Sequence, residues 1–343
     1  MTSATYSARL GEIADSQFDA ALRRAGLGRF VAARACPGGL FGQNVFLTAT
    51  RGDYVFRGAP HWHAGGPNDA WQFPKERLYA DLLHAGTRVP VAWPQILDAS
   101  CDHFPWPYLI MPRLPGASLG SPPALGQDDA QAVAGAMGDA LAGLHALTCL
   151  FAGDFDPDIR AIAPYPSGYG VHLAGELDRS RAAARARNAL TPEDEAWLDS
   201  LLDADACTPG PAATTYVHND FNLGNVLFEK ADGVWRVSGV VDLMTSGFGD
   251  PAADLVRPAC AWLDADPAAA DAFLAAYRAA GGPAAPTAAR LALLVAHERL
   301  LIWEYFTRPD APETGLRSRA FSPWASRYAD RLAKRLLQGW DLP

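Results

Sequence analysis

The sequence predicts an α+β protein with a small, mainly β N-terminal part, residues 1–112, and a larger, mainly helical remainder, residues 113–343. Three observations carry this. Short apolar runs bounded by Gly, Pro and Asp turns crowd the first part, as strands and hairpins require. A Pro/Gly-rich exit, Pro112-Arg113-Leu114-Pro115-Gly116, follows a buried-strand pattern and makes a natural boundary. Beyond it, apolar residues recur at helical spacing, interrupted by one hairpin pattern around Asp232.

Residues 17–28 form a short amphipathic helix pattern with Phe18, Leu22 and Ala25 on one face and a glycine stop. The turn Cys36-Pro37-Gly38-Gly39-Leu40-Phe41-Gly42 leads into strands at 45–50 and 54–57, joined at Arg51-Gly52-Asp53. Gly38 and Gly39 offer backbone N–H groups to phosphate oxygens, and an ordinary Gly/Pro turn fits the same residues. His61 and His63 in the loop 59–71 have no third ligand nearby, and metal-site spacing asks for one. Pro74 opens a helix over 75–86 in which Glu76, Tyr79 and Leu83 share a face. A glutamate on a face packed against a sheet needs a cation or water; Arg57 on the preceding strand is the candidate partner. Tyr108-Leu109-Ile110-Met111-Pro112 is a buried strand whose backbone around Met111 suits a purine edge.

The second part carries helix patterns at 128–147, 175–190, 193–204, 251–265, 268–280, 287–306 and 321–338, with a loop expected over 161–170. Val133, Met137, Leu141 and Leu144 make the stripe of the first, and His145 beside it is expected to be structural. No repeat at solenoid spacing is present.

Composition limits the function. A formal net charge of −9 without a dense Lys/Arg stripe argues against nucleic acid. Five scattered cysteines with no CxxC pair point to a reducing compartment, not a disulfide framework or a zinc site. Glu12, Asp15 and Asp19 at the start do not suit a signal peptide, and no apolar stretch approaches membrane-spanning length. A cytoplasmic location, no membrane association, and a monomer or homodimer are expected.

The chemistry concentrates in His218-Asn219-Asp220-Phe221-Asn222-Leu223-Gly224-Asn225 and in Asp242 beyond the hairpin 225–241 with its Ala231-Asp232-Gly233 turn. Asp220 can aim a hydroxyl and accept its proton, while Asn225 and Asp242 supply the hard oxygens that magnesium prefers. Each has a local alternative: a turn cap, a turn hydrogen bond, a helix cap. Their order around an apolar hairpin favours the joint reading. His218 is expected to organise the loop, and Asp250 and Asp254 to cap the next helix or bond the loop.

At these residues the chain resembles the aminoglycoside phosphotransferase family, the antibiotic phosphotransferase or choline-kinase-like group. VHNDFNLGNVLF and GVVDLMTSGFGDPAADL carry the resemblance, supported by the glycine loop, Arg57, Glu76 and YLIMPRLPG. It implies a bilobal protein-kinase-like fold, catalytic Asp220, Mg2+ on Asn225 and Asp242, and Arg57 with Glu76 orienting the phosphates of ATP, with GTP as the other candidate donor. It further implies a small-molecule hydroxyl acceptor, such as an aminoglycoside-like antibiotic or another natural product. A cleft carrying Glu298 and Glu304 would suit a cationic acceptor. A nucleotide-binding pseudokinase scaffold, or a kinase of an amino alcohol or sugar, are the alternatives. Two departures stand out: the strand cation is usually lysine, and Leu243-Met244 replaces the usual aromatic after the metal aspartate.

Overall fold

The computed structural model describes residues 3–36, 42–59, 71–120, 125–187, 189–206, 214–308, 311, 314–316 and 319–336. Gly38, Gly39, His61 and His63 lie outside the described residues. The chain divides into two compact units, the first being Met1–Ala117 with Phe155–Ala161 and Ser238–Met244, the second the remainder.

In the first unit, β1 (Ser3–Ser7) and β2 (Gly11–Ala14) form a hairpin and α1 (Asp15–Arg24) follows. Then come β3 (Phe30–Ala35), β4 (Asn44–Ala49), β5 (Gly52–Gly58), α2 (Gln72–Gly86), β6 (Ile96–Asp98) and β7 (Tyr108–Pro112). The last five strands make an antiparallel sheet in the order β3-β4-β5-β7-β6. Side chains alternate across it, as the strand period of two requires. Phe56, Tyr108 and Ile110 join Phe18 and Leu22 of α1 in one apolar cluster. Leu109 and Met111 point the other way, with Phe73 of α2 and Ala92. Arg57 follows Phe56 on the central strand, so it belongs to this second face.

Further along the chain, β8 (Ala117–Ser118) leads to α3 (Gln127–His145), β9 (Gly153–Asp156), β10 (Ala161–Pro164), α4 (Tyr169–Arg185) and α5 (Pro192–Ala206). Next are β11 (Thr215–Val217), β12 (Val226–Ala231), β13 (Val234–Val240), a 3-10 turn at Leu243–Thr245, and β14 (Gly247–Gly249). Four helices complete the chain: α6 (Ala252–Ala265), α7 (Pro267–Ala279), α8 (Ala288–Phe306) and α9 (Phe321–Leu336). β13 leaves the second unit after Val237 and ends in the first. There Val240 bridges Val91 and donates its N–H to the Pro90 carbonyl at 2.9 Å. The β12–β13 turn has Asp232 at φ 52° and Gly233 at φ 81°, the left-handed pair that a tight two-residue hairpin needs.

The stretch 161–170, expected as a loop, instead holds β10 and the start of α4. β10 is the edge of a sheet ordered β10-β9-β14-β11, paired only with the nearby β9, and at four residues it is too short for a strand period to declare itself. Among the described residues, no helix is long and apolar enough to cross a membrane.

Candidate active site

β11 pairs antiparallel with β14, with Val217 opposite Gly247, and delivers the chain into the loop His218–Asn225. That loop is fastened from below by one buried carboxylate. Asp254, in the first turn of α6, accepts the His218 N–H on Oδ2 at 2.6 Å and the Asn219 N–H on Oδ1 at 2.7 Å. Its Oδ2 also meets His145 Nε2 at 3.3 Å, while His145 Nδ1 lies 2.7 Å from the Tyr277 hydroxyl. His145 is therefore structural: it ties α3 and α7 to the loop's anchor. Thr245 Oγ1 donates to the His218 carbonyl at 2.8 Å, and Asn219 Nδ2 to the Thr245 carbonyl at 2.9 Å. With both loop N–H groups and a carbonyl held, Asn219 sits at φ 60°, a left-handed conformation that asparagine tolerates better than most side chains.

The loop presents Asp220. Its Oδ1 accepts from Asn222 Nδ2 at 2.9 Å and from an Arg257 guanidinium N–H; its Oδ2 accepts from Asn225 Nδ2 at 2.8 Å. Asn222 in turn accepts the Gly224 N–H at 2.8 Å, a local side-chain turn that rounds the loop. Asn225 spends its nitrogen on Asp220, on the carbonyl as well as the carboxylate. Both bonds use Nδ2, so the network fixes the amide orientation and leaves the Asn225 Oδ1 acceptor outside it.

The first unit holds a second cluster. Arg57 Nη1 donates to Glu76 Oε1 at 3.0 Å, and Nη2 to Asp242 Oδ1 at 3.2 Å and to Met244 Sδ at 2.7 Å. One buried guanidinium thus serves two carboxylates. Burial pushes the Glu76 carboxyl up to about 7, with the Asp242 charge adding to the effect and Arg57 opposing it. Asp242 is the more open of the two carboxylates and stands at φ 64°. Strained backbone of this kind is commonest at functional positions. Met111, on β7 opposite Val55, is buried with Ala59, Phe73 and Ala92.

The structure therefore brings Asp220 together with Asn225, and Arg57 together with Glu76 and Asp242, each group within its own unit. Taken singly, Asn225 carries an amide oxygen and Asp242 a partly exposed carboxylate, each a hard oxygen of the kind magnesium takes. Among the described residues there is no converging group of three or more His, Cys, Asp or Glu, the signature of a softer or fully caged metal site.

The expected acidic lining is a different matter. Glu298 is bound by Arg257 Nε at 2.7 Å and by Arg299 Nε at 2.6 Å. Glu304 is bound by Arg187 and doubly by Arg308. Both carboxylates are neutralised by neighbouring arginines. Arg257 and Asn222, both bonded to Asp220, are partners that the sequence pattern alone does not mark. The spacing held a signal for Arg257, since on a helix it shares a face with Asp254 three residues earlier.

A family model described as the phosphotransferase enzyme family matches residues 32–294. Viomycin phosphotransferase of Streptomyces vinaceus is 35% identical over 150 residues, 43% of this chain and 48% of that protein, so the match spans about half the length of the curated relative. Two crystal structures align nearly end to end. One is a provisionally assigned aminoglycoside phosphotransferase of Ralstonia eutropha, with 20% identity, a TM-score of 0.60, and 96% of this chain and 97% of the other covered. The other is the macrolide 2'-phosphotransferase of Brachybacterium faecium, with 22% identity, a TM-score of 0.58, and coverages of 93% and 98%. At these identities the two structures establish a shared fold, the protein-kinase-like α+β architecture expected from the sequence.

Proposed function

The chain belongs to the phosphotransferase enzyme family, and on that premise we propose that it transfers the γ-phosphate of ATP or GTP to a hydroxyl of a small molecule, in the cytoplasm, the acceptor being a natural-product antibiotic. The observation that carries the reading is the Asp220 carboxylate, oriented by the Asn222 and Asn225 amides on a loop fastened to buried Asp254. Such a carboxylate can take the hydrogen bond of an acceptor alcohol and hold its proton as the oxygen–phosphorus bond forms and the nucleoside diphosphate leaves. Arg57, kept on the sheet face by Glu76, supplies a fixed cation for phosphate oxygens; its fork can bond two of them where lysine would bond as a point charge. Asn225 and Asp242 are the residues that would hold Mg2+, which when bound neutralises charge on the phosphates. The antibiotic class is supported by the names of the relatives, which include viomycin and macrolide phosphotransferases.

The test is a panel of antibiotics and small alcohols with labelled ATP and GTP, read by product mass. Asp220→Ala should lower transfer by about 10²- to 10⁴-fold while Mg-nucleotide affinity stays near wild type. Undiminished transfer by that variant would remove Asp220 from the mechanism.

A further inference from the structure

Asp220 is already occupied. Three donors converge on its two oxygens, and one of them is a cation, Arg257, which an incoming alcohol must either displace or share. Arg257 is not loose. Its Nε bonds Glu298, and Glu298 is held by Arg299, whose guanidinium lies 5.4 Å from the Trp324 ring centre and 4.9 Å from that of Tyr328 on α9. The result is a row of alternating charges, Arg299–Glu298–Arg257–Asp220, running from the α8–α9 contact to the catalytic loop.

Exposure falls along this row in one direction. The Asp220 and Arg257 side chains are 30% and 23% exposed, Glu298 and Arg299 10% and 8%. Breaking the row at the Glu298 end would strand buried charge, which costs more than parting the more exposed pair at its other end. The Asp220 end lies nearest solvent and is where the row opens. Glu298, the next carboxylate along the row, is bound by two arginines and is not available to a cationic group. Beside it on α8, His297 keeps a buried Nε2 with no hydrogen-bond partner among the described residues, and burial lowers its pKa to about 4, so the ring is neutral.

We propose that Arg257 is a latch on Asp220 that sets acceptor specificity: it swings from the carboxylate onto a carboxylate or carbonyl oxygen that the acceptor carries next to its reacting hydroxyl. This rests on the phosphotransfer reading and makes Arg257 a positioning residue for the alcohol. An acceptor with an ammonium at that position meets the guanidinium's like charge and leaves the latch closed. Without an acceptor, the closed latch keeps Asp220 from activating water, whose oxygen would otherwise take the γ-phosphate in plain hydrolysis.

The experiment uses the full chain with MgATP, first without acceptor and then with three probes that share one primary alcohol: N-acetyl-L-serine, N-acetyl-L-serine amide and ethanolamine. Wild type, Arg257→Gln and Arg257→Lys are compared. Gln retains a donor for Glu298 and Lys retains the charge, so at least one variant should fold. The expected result is opposed motion. Acceptor-free hydrolysis rises several-fold in Arg257→Gln, while kcat/KM for the serine probes falls about tenfold, the worth of one charge-assisted hydrogen bond. Ethanolamine is the poorest wild-type acceptor and changes least. A preference for the acid over the amide identifies a carboxylate partner; equal use identifies the carbonyl. A folded variant in which both rates fall together, or a wild type that prefers ethanolamine or accepts none of the probes, overturns the latch. The phosphotransfer reading is separately sustained if the hydrolysis released in Arg257→Gln is lost when Asp220→Ala is added, and fails if that hydrolysis is indifferent to the second change.

Discussion

Replacing Asp254 by asparagine tests how the His218–Asn225 loop is held. The aspartate is almost wholly buried, and its two oxygens each accept one loop N–H, at 2.6 and 2.7 Å. Asparagine keeps one oxygen and turns an NH2 toward the other N–H, so one charge-assisted bond is lost and a buried donor is left without an acceptor. A hydrogen bond to a charged group contributes about 1.5–3 kcal/mol, and an orphaned buried donor costs about 1–3 kcal/mol. The two describe overlapping parts of one loss, so the expected destabilisation is about 2–4 kcal/mol. At no more than about 2–4 °C per kcal/mol, the conversion for chains of about 150–250 residues, Tm should fall by at most about 4–16 °C. That is within what a protein with about 5–15 kcal/mol of stability survives. Because His218 and Asn219 lead directly into Asp220, turnover should fall more steeply than stability. At a temperature where the variant remains folded by circular dichroism, kcat should drop about tenfold or more for a misplacement of this order, with nucleotide affinity near wild type. Calorimetry and the labelled-phosphate assay check the two halves. A variant with unchanged Tm and unchanged kcat would refute the claim that this carboxylate positions the loop.

The buried Glu76 makes stability depend on pH in a direction opposite to the usual carboxylate. Its pKa stands at about 7 in the folded chain against an ordinary 4.5, so between those values the folded state holds a proton that the unfolded state has released. Stability from this group is therefore full below about pH 4.5 and declines as pH rises toward 7, by no more than about 3 kcal/mol. Urea melts at pH 5 and pH 7.5 should show the decline, and Glu76→Gln should flatten it; equal slopes in both proteins would contradict the assignment. Gly138→Ala should destabilise despite alanine's better helix propensity. The added Cβ falls inside contact distance of the Phe273 carbonyl oxygen and 3.0 Å from the Tyr277 nitrogen, forcing α3 away from α7. A Tm drop corresponding to about 1–3 kcal/mol is expected for such overpacking, and a rise in Tm would show that the helices can separate freely.

The sequence by itself determined the long elements. Helices such as α3 and α8 carry enough apolar repeats to declare their period, and the Asp232-Gly233 turn declares its hairpin through the left-handed backbone it requires. Asp220, Asn225 and Asp242 stood out because their spacing around that hairpin is unusual, and Glu76 could be paired with Arg57 because a buried charge on a sheet-facing helix demands a partner. Tertiary structure alone decided the rest. β14 pairs with β9 and with β11 across long stretches of chain, and strands as short as β9, β10, β11 and β14 hold too few residues for a period of two to announce them. Which partner an arginine takes is likewise a matter of three dimensions. Arg257 and Glu298 are far apart in sequence, and either could have faced water. Only the packing of α6, α8 and the catalytic loop converts an expected acidic lining into a neutralised row ending on Asp220, because charge compensation depends on distance in space and the sequence records only distance along the chain.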